Sequence, residues 1–193
     1  AIIIPVTFYS SHGCNRKTTI AVFGTLITLI ITGLLATYFA DLTHLTGLAS
    51  EETAFLKLGT KEIVDFRGMV LAGMIISILG ILDDITISQS SVVHQLKKVK
   101  KKISFKELYN RSMSVGRDHI ASIVNTLVLV YTGASLPLLL LFLDNSQRFS
   151  DLLNYEFLAE EIVRTLIGSI GLVLAVPITS ILAAYFVSRS KKV

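Results

Sequence analysis

One apolar stretch decides the fold of this chain: GMVLAGMIISILGILDDITIS, residues 68–88. It is long enough to cross a bilayer as a single helix, which needs about 20 apolar residues. Yet it carries two adjacent carboxylates, Asp83 and Asp84. An aspartate at the bilayer centre costs roughly 2.5–3.5 kcal/mol on insertion scales, so such residues normally face protein or water. The pair is therefore a candidate functional site.

Helical spacing predicts which way the two aspartates face. Small and polar residues recur every three or four positions, which places them on one helix face. They are Gly73, Ser77, Gly80, Asp84, Ser88 and Ser91. Because small residues let a neighbouring helix approach closely, we expect this stripe, with Asp84, to face the inside of a bundle. Asp83 lies about 100° further round and should sit at the edge of the same crevice.

The composition is that of an integral membrane protein. The 193 residues are 52% hydrophobic and only 17% charged, against about 25% charged in soluble domains. The first apolar run, residues 1–9, is too short to span a bilayer and lacks an initiator methionine. We expect it to be the end of a truncated span, so that the chain is the C-terminal part of a longer protein. The single cysteine, Cys14, excludes an intrachain disulfide.

The hydrophobic pattern predicts an all-α, polytopic transmembrane helix bundle forming a single domain. The truncated span is followed by four full spans, at about residues 19–40, 68–90, 119–143 and 162–187. Between the second and third of these full spans lies a polar segment, residues 91–118. There Ser104 and Glu107 form a capping box, and apolar residues follow at helical spacing. We predict that this segment contains a short amphipathic helix on the cytoplasmic membrane surface.

Basic residues alternate with acidic ones from one connection to the next. Thirteen of the 18 basic residues follow the first, third or fifth apolar segment. The positive-inside rule then puts these connections and the C-terminus in the cytoplasm, as expected for the bacterial cytoplasmic membrane. We interpret the run from Lys97 to Lys102 as an orientation signal that contacts anionic lipid head groups. Nucleic acid or a cytosolic partner is the less favoured reading of the run.

Six motifs, taken in order, resemble those of the YibE/F-like family of bacterial multi-pass membrane proteins. They are SHGCNRKTT (11–19), DFRG (65–68), GILDDITISQSS (80–91), GRDHIASIVNT (116–126), GASLP (133–137) and GSIGLVLAVP (168–177). The resemblance covers the whole chain, and Asp84 occupies the position of the family's aspartate. It implies a further helix, an extracytoplasmic domain and another helix before this region. It carries over no settled biochemical function.

A more distant likeness concerns the last three predicted helices. They resemble the second half of a SecD/SecF-type or RND-type transmembrane unit, with an intramembrane aspartate, a cytoplasmic amphipathic helix and a rising helix bearing Asn and Thr. Such units couple proton movement to export. The likeness rests on topology and is therefore an analogy.

Polar residues on other predicted helices could complete a site around the aspartates. Counted from the basic ends of their helices, Asn125 and Asp84 lie at comparable depths, with Thr126 as the next partner. Desolvation favours the neutral carboxylic acid, and two adjacent carboxylates strengthen that preference. We expect a cluster of Asp84, Ser88 and Asn125, with Asp83 and Thr179 as further members, to relay protons or cations. Simple helix-to-helix adhesion is the alternative for these residues.

Glycines and prolines predict close packing and hinges. Gly80, Gly168 and Gly171 are candidates for close helix contact. Pro137 and Pro177 each remove one helical hydrogen bond, which favours a kink that is either packed or a hinge. Arg164 lies near the N-terminal end of the last predicted helix, whose other basic residues follow its C-terminal end. It should pair with Glu160 or Glu161.

Two functions follow, a proton-coupled secondary transporter or exporter and a non-catalytic accessory or scaffold subunit of a membrane complex. Either could form homo-oligomers or bind another membrane subunit. We do not expect an enzyme, since the motif Gly-x-Gly-Asp of intramembrane aspartyl proteases is absent. The four histidines show no metal-ligand spacing and there is no phosphate-binding loop, so neither metal nor cofactor is expected.

Overall fold

The computed structural model describes residues 3–49, 51–59, 64–137, 140 and 154–189. These residues contain helices and connecting turns, with no strand among them, and the predicted all-α membrane bundle is confirmed. The helices are α1 (Ile3–His12), α2 (Arg16–Leu42), α3 (Glu51–Gly59), α4 (Phe66–Val99), α5 (Phe105–Ala134) and α6 (Glu156–Arg189).

Three helices, α2, α4 and α6, are long and apolar enough to cross a membrane. Two of them begin at a side-chain cap that satisfies a free backbone N–H of the first turn. The side chain of Asn15 accepts from the Thr18 N–H at 2.9 Å at the start of α2, and Asp65 accepts from the Gly68 N–H at 2.9 Å at the start of α4. The helices therefore start where the sequence changes from polar to apolar.

The core lies where α2, α4 and α6 meet, because each of the three packs against both others. Helix α5 covers α6 and α4, and α1 lies against α2. On α4 the core face consists of Met74, Ile78, Leu82 and Ile85, all essentially inaccessible to solvent. Their spacing of four, four and three residues marks one helix face, so large apolar side chains decide how α4 is rotated.

The bundle has two chemically distinct ends. We call the end where α2 begins and α4 and α6 finish the basic end, since it carries Arg16, Lys17, Lys97, Lys98 and Arg189. At the opposite end the Glu156 carboxylate accepts hydrogen bonds from Thr46 and from the Gly47 N–H, at 2.8–2.9 Å from Thr46 Oγ1 and the Gly47 nitrogen. At the opposite end, an acidic side chain at the start of α6 thus holds the segment that follows α2.

A helix begins within the predicted amphipathic segment, residues 91–118, but it is longer than predicted and continues beyond the segment. Helix α4 continues to Val99, and α5 runs unbroken from Phe105 to Ala134. The capping box does start the helix, because the Ser104 hydroxyl accepts from the Glu107 N–H. No proline follows until position 137, so nothing in the sequence stops the helix at residue 118.

The third full span, predicted at residues 119–143, stays a prediction. Helix α5 ends at Ala134, where Ser135 caps it, and it is not among the three helices apolar enough to span within the described residues. Residues 138–139 and 141–143 of the predicted span lie outside the described residues. The other three full spans are predicted at residues that lie within α2, α4 and α6, and the described part of the first apolar run, residues 3–9, lies in α1, which continues to His12.

Candidate functional site

The expectation that Asp84 points into the bundle is wrong for this chain. Asp84 is exposed on the outside of α4, as are Gly73 and Gly80. A Cβ atom added to either glycine would meet no atom within 4 Å in the described structure. The face of α4 around Leu82, with its large apolar side chains, is buried in place of the small-residue stripe. Burying large apolar side chains stabilises the bundle more than close contact at glycines does.

Asp83 is the aspartate turned towards the rest of the chain. It is half-buried, and its Oδ1 atom is inaccessible and forms no hydrogen bond within the described residues. One helical turn away on either side lie Leu79 and Ile87, which pack with Ile4 and Phe8 of α1. The carboxylate therefore lies on the side of α4 where Leu79 and Ile87 join the apolar cluster formed with α1 and α2.

Asn125 and Thr126 are not brought to the aspartates. Both are exposed on α5, and the Thr126 hydroxyl is occupied by the Ser122 carbonyl oxygen at 3.0 Å. Ser88 is half-buried and forms no hydrogen bond to Asp84 or Asn125 among the described residues. The predicted cluster is therefore not assembled within this chain.

The buried polar centre is instead Gln89, which the sequence analysis did not select. Its side chain is 1% exposed, and Nε2 donates to the Ser112 carbonyl oxygen at 2.8 Å and to Ser180 Oγ at 2.7 Å. One amide thus connects α4, α5 and α6. The signal was present in the sequence, because Gln89 is four residues from the core residue Ile85 and shares its face.

Hydroxyl groups connect α2 to α4. Thr25 and Thr86 share a buried hydrogen bond of 2.7 Å between their Oγ1 atoms. Nearer the basic end, the Ser90 hydroxyl donates to the Lys17 carbonyl oxygen at 2.9 Å. Buried polar groups cost little when paired in this way, so these contacts fix the relative register of the two helices.

The candidate packing residues of α6 lie at helix contacts. Gly171 is buried, and a methyl group there would come within 2.7 Å of Thr32 Cγ2 on α2. Gly168 is buried in the region where α6 faces Ile78 of α4. Thr179 is also buried, but its hydroxyl has no partner in the described structure, and a Cβ atom at Gly24 would collide with it. Close contact between α2 and α6 thus depends on glycine.

The two candidate hinge prolines differ in position. Pro177 lies inside α6, partly buried, whereas Pro137 follows the end of α5 and is exposed. Whether either acts as a hinge stays a prediction. At the opposite end of α6, Arg164 contacts Glu160 and donates to Glu161 with 2.6 Å between Nη1 and Oε1, the pairing expected from their spacing.

No group of three or more His, Cys, Asp or Glu side chains able to hold a metal ion exists within the described residues. The described fold is that of a helical integral membrane protein with polar groups between its helices. The sequence model of the YibE/F-like protein family matches residues 1–189, so the chain belongs to this family. No curated protein matches the chain, and no solved structure matches it.

Proposed function

We propose that the protein is a proton- or cation-coupled secondary transporter of the bacterial cytoplasmic membrane, with its basic end and C-terminus in the cytoplasm. The observation that carries the proposal is Asp83, a carboxylate in the middle of a membrane-crossing helix with one buried oxygen that has no partner among the described residues. An unpaired polar atom in that position is costly and usually marks an ion or proton pathway. Asp83 thereby replaces Asp84 as the central residue of the relay.

Asp84 would be the neighbouring member of the relay, on the surface of α4. An aspartate that faces lipid is unfavourable by a few kcal/mol. We therefore expect Asp84 to contact another membrane segment or a water-filled path. Asp83 lies within electrostatic range of both Asp84 and His12, an exposed residue at the last turn of α1. A proton could thus enter from the basic end. Asn125, Ser88 and Thr126 are not needed for this path.

Reconstituted vesicles test the proposal. The full chain is inserted into vesicles with an imposed pH gradient, and the initial rate of gradient dissipation is followed with an internal pH-sensitive dye. We expect Asp83→Asn to abolish the protein-dependent rate and Asp84→Asn to reduce it. Asp118→Asn, the same chemical change at an exposed position of α5, is the matched control and should keep the wild-type rate. A wild-type rate for Asp83→Asn would contradict the proposal.

The second candidate is an accessory or scaffold subunit, and the exposed stripe of α4 favours it. Gly73, Gly80 and Asp84 share this stripe with open space above the two glycines, which suits a helix of a second copy or of another subunit. In this case Asp84→Asn should weaken co-purification of the partner or the homo-oligomer while leaving any proton flux unchanged. The two measurements together separate the candidates.

A further inference from the structure

A cleft opens at the basic end of the bundle. It lies between the start of α2 and the last turns of α4 and α6, with the α1–α2 connection along its rim. Its volume is about 1140 Å³, of the order of a small-molecule binding site. Neither Asp83 nor Asp84 lines it, so it is distinct from the candidate relay.

The mouth of the cleft is strongly cationic. Arg16, Lys17 and Lys98 line it together with His94, and none of the described residues that line it is a carboxylate. Lys17 and Lys98 form no salt bridge within the described residues. His94 uses its Nδ1 atom to bind the Ser90 carbonyl oxygen at 2.8 Å, which leaves Nε2 for a ligand. Lys17 and Lys98 thus converge from two helices with no salt bridge in the described structure, and this arrangement favours an anion.

The remainder of the cleft is apolar. Phe23 and Phe186 line it and are each 53% exposed, so both rings offer apolar surface to a molecule in the cleft. Phe23 lies seven residues beyond Arg16, which is about 10 Å along α2 towards the bilayer interior. Charge at one end and apolar surface at the other is the pattern of an amphiphile, whereas a free phosphate would leave the aromatic wall uncovered.

We propose that this cleft binds one anionic phospholipid, with its phosphate between Lys17 and Lys98 and an acyl chain along Phe23 and Phe186. Basic pockets between membrane helices hold lipid head groups in this way. The site differs from general attraction between the basic run and the membrane surface, because it requires only the lysines that line the cleft. Lys101 and Lys102 are exposed in the turn after α4 and lie outside it.

Native mass spectrometry of the detergent-solubilised full chain, titrated with phosphatidylglycerol, tests the proposal. We expect Lys17→Gln/Lys98→Gln to weaken binding about 30-fold, since each lysine near a phosphate contributes roughly fivefold. Lys101→Gln/Lys102→Gln removes the same charge outside the cleft and should leave the affinity essentially unchanged. If the two double variants lost the same affinity for phosphatidylglycerol, the lipid would be held by diffuse surface attraction and the proposed binding in the cleft would be wrong.

Two further titrations test whether binding needs both the charge and the acyl chains of the lipid. Phosphatidylcholine, which has no net charge, and glycerol phosphate, which has no acyl chain, should each bind much more weakly than phosphatidylglycerol. Glycerol phosphate binding as tightly as the lipid would overturn the role of the aromatic wall. Lys17→Arg/Lys98→Arg keeps the charge and should bind like the wild type, and failure of this variant to bind would contradict a charge-based site.

Discussion

At the scale of single residues, the amide of Gln89 is the polar group on which three helices depend. Replacing it with Leu leaves the Ser180 hydroxyl and the Ser112 carbonyl oxygen without their donor. Polar contacts between membrane helices contribute about 0.6 kcal/mol on average and up to about 1.7 kcal/mol. We therefore expect Gln89→Leu to lower the free energy of unfolding by about 1–2 kcal/mol, measured by reversible unfolding in mixed detergent micelles.

The control for this prediction is on the same helix. Gln95 is exposed, so Gln95→Leu should change the free energy of unfolding by less than about 0.5 kcal/mol. A double-mutant cycle with Ser180→Ala should then return a coupling energy between Gln89 and Ser180 that differs from zero. Equal effects of the two Gln→Leu variants would show that the buried amide contributes nothing beyond its volume.

Single residues are also where prediction from the sequence was weakest. Asp84 and Gln89 both interrupt an apolar stretch, and only their direction from the helix axis distinguishes them. That direction depends on which stripe of α4 buries more apolar surface, a property of the neighbouring helices as much as of α4. The small residues around Gly80 suggested one face, and the packing of Leu82 and Ile85 fixed another.

At the scale of elements, the start of α5 depends on charge. Lys100 Nζ contacts both carboxylate oxygens of Glu107, at 2.8 and 2.9 Å, and Arg111 Nε donates to Oε1 at 3.0 Å. The hydrogen bond from Lys100, aided by the charges of Lys100 and Arg111, lowers the pKa of Glu107 below its ordinary value of 4.5. The stabilisation is therefore present above that value and is lost as the pH falls through the pKa of the folded state.

Amide hydrogen exchange over residues 105–111 measures this contribution. At neutral pH these amides should exchange faster in Glu107→Gln than in the wild type, because the variant lacks the charged carboxylate. The difference should shrink as the pH falls through the lowered folded-state pKa of Glu107, because the wild-type carboxylate is then protonated as well. A difference that persists unchanged in acid would mean that the ion pairs do not hold the first turn of α5.

The positions of the helices along the chain were easier to predict from the sequence than the side of each helix that is buried. Length and hydropathy found α2, α4 and α6, and the capping box found the start of α5, since both signals are local in sequence. The end of α4 and the continuity of α5 were missed because a helix continues through polar sequence, in α5 even past Gly116, when no proline stops it and another element supports it. Val93, buried beyond the predicted span, gives α4 that support.

At the scale of the whole molecule, the distribution of charge predicts the orientation in the membrane. The single cysteine, Cys14, is exposed at the basic end and gives a natural probe. A membrane-impermeant maleimide should not label it in intact bacterial cells and should label it once the membrane is opened. In a Cys14→Ser background, Lys57→Cys on α3 should show the reverse and react in intact cells. Labelling of Cys14 from outside would invert the topology.

The most direct test of the central claim concerns proton exchange at Asp83. Infrared difference spectra of the reconstituted protein between acid and alkaline pH report carboxyl groups that gain and lose protons. We expect a band of a protonated carboxyl group that Asp83→Asn removes and Asp118→Asn retains. Spectra of Asp83→Asn that match those of the wild type would show that Asp83 exchanges no proton with water, and would contradict its role in coupling.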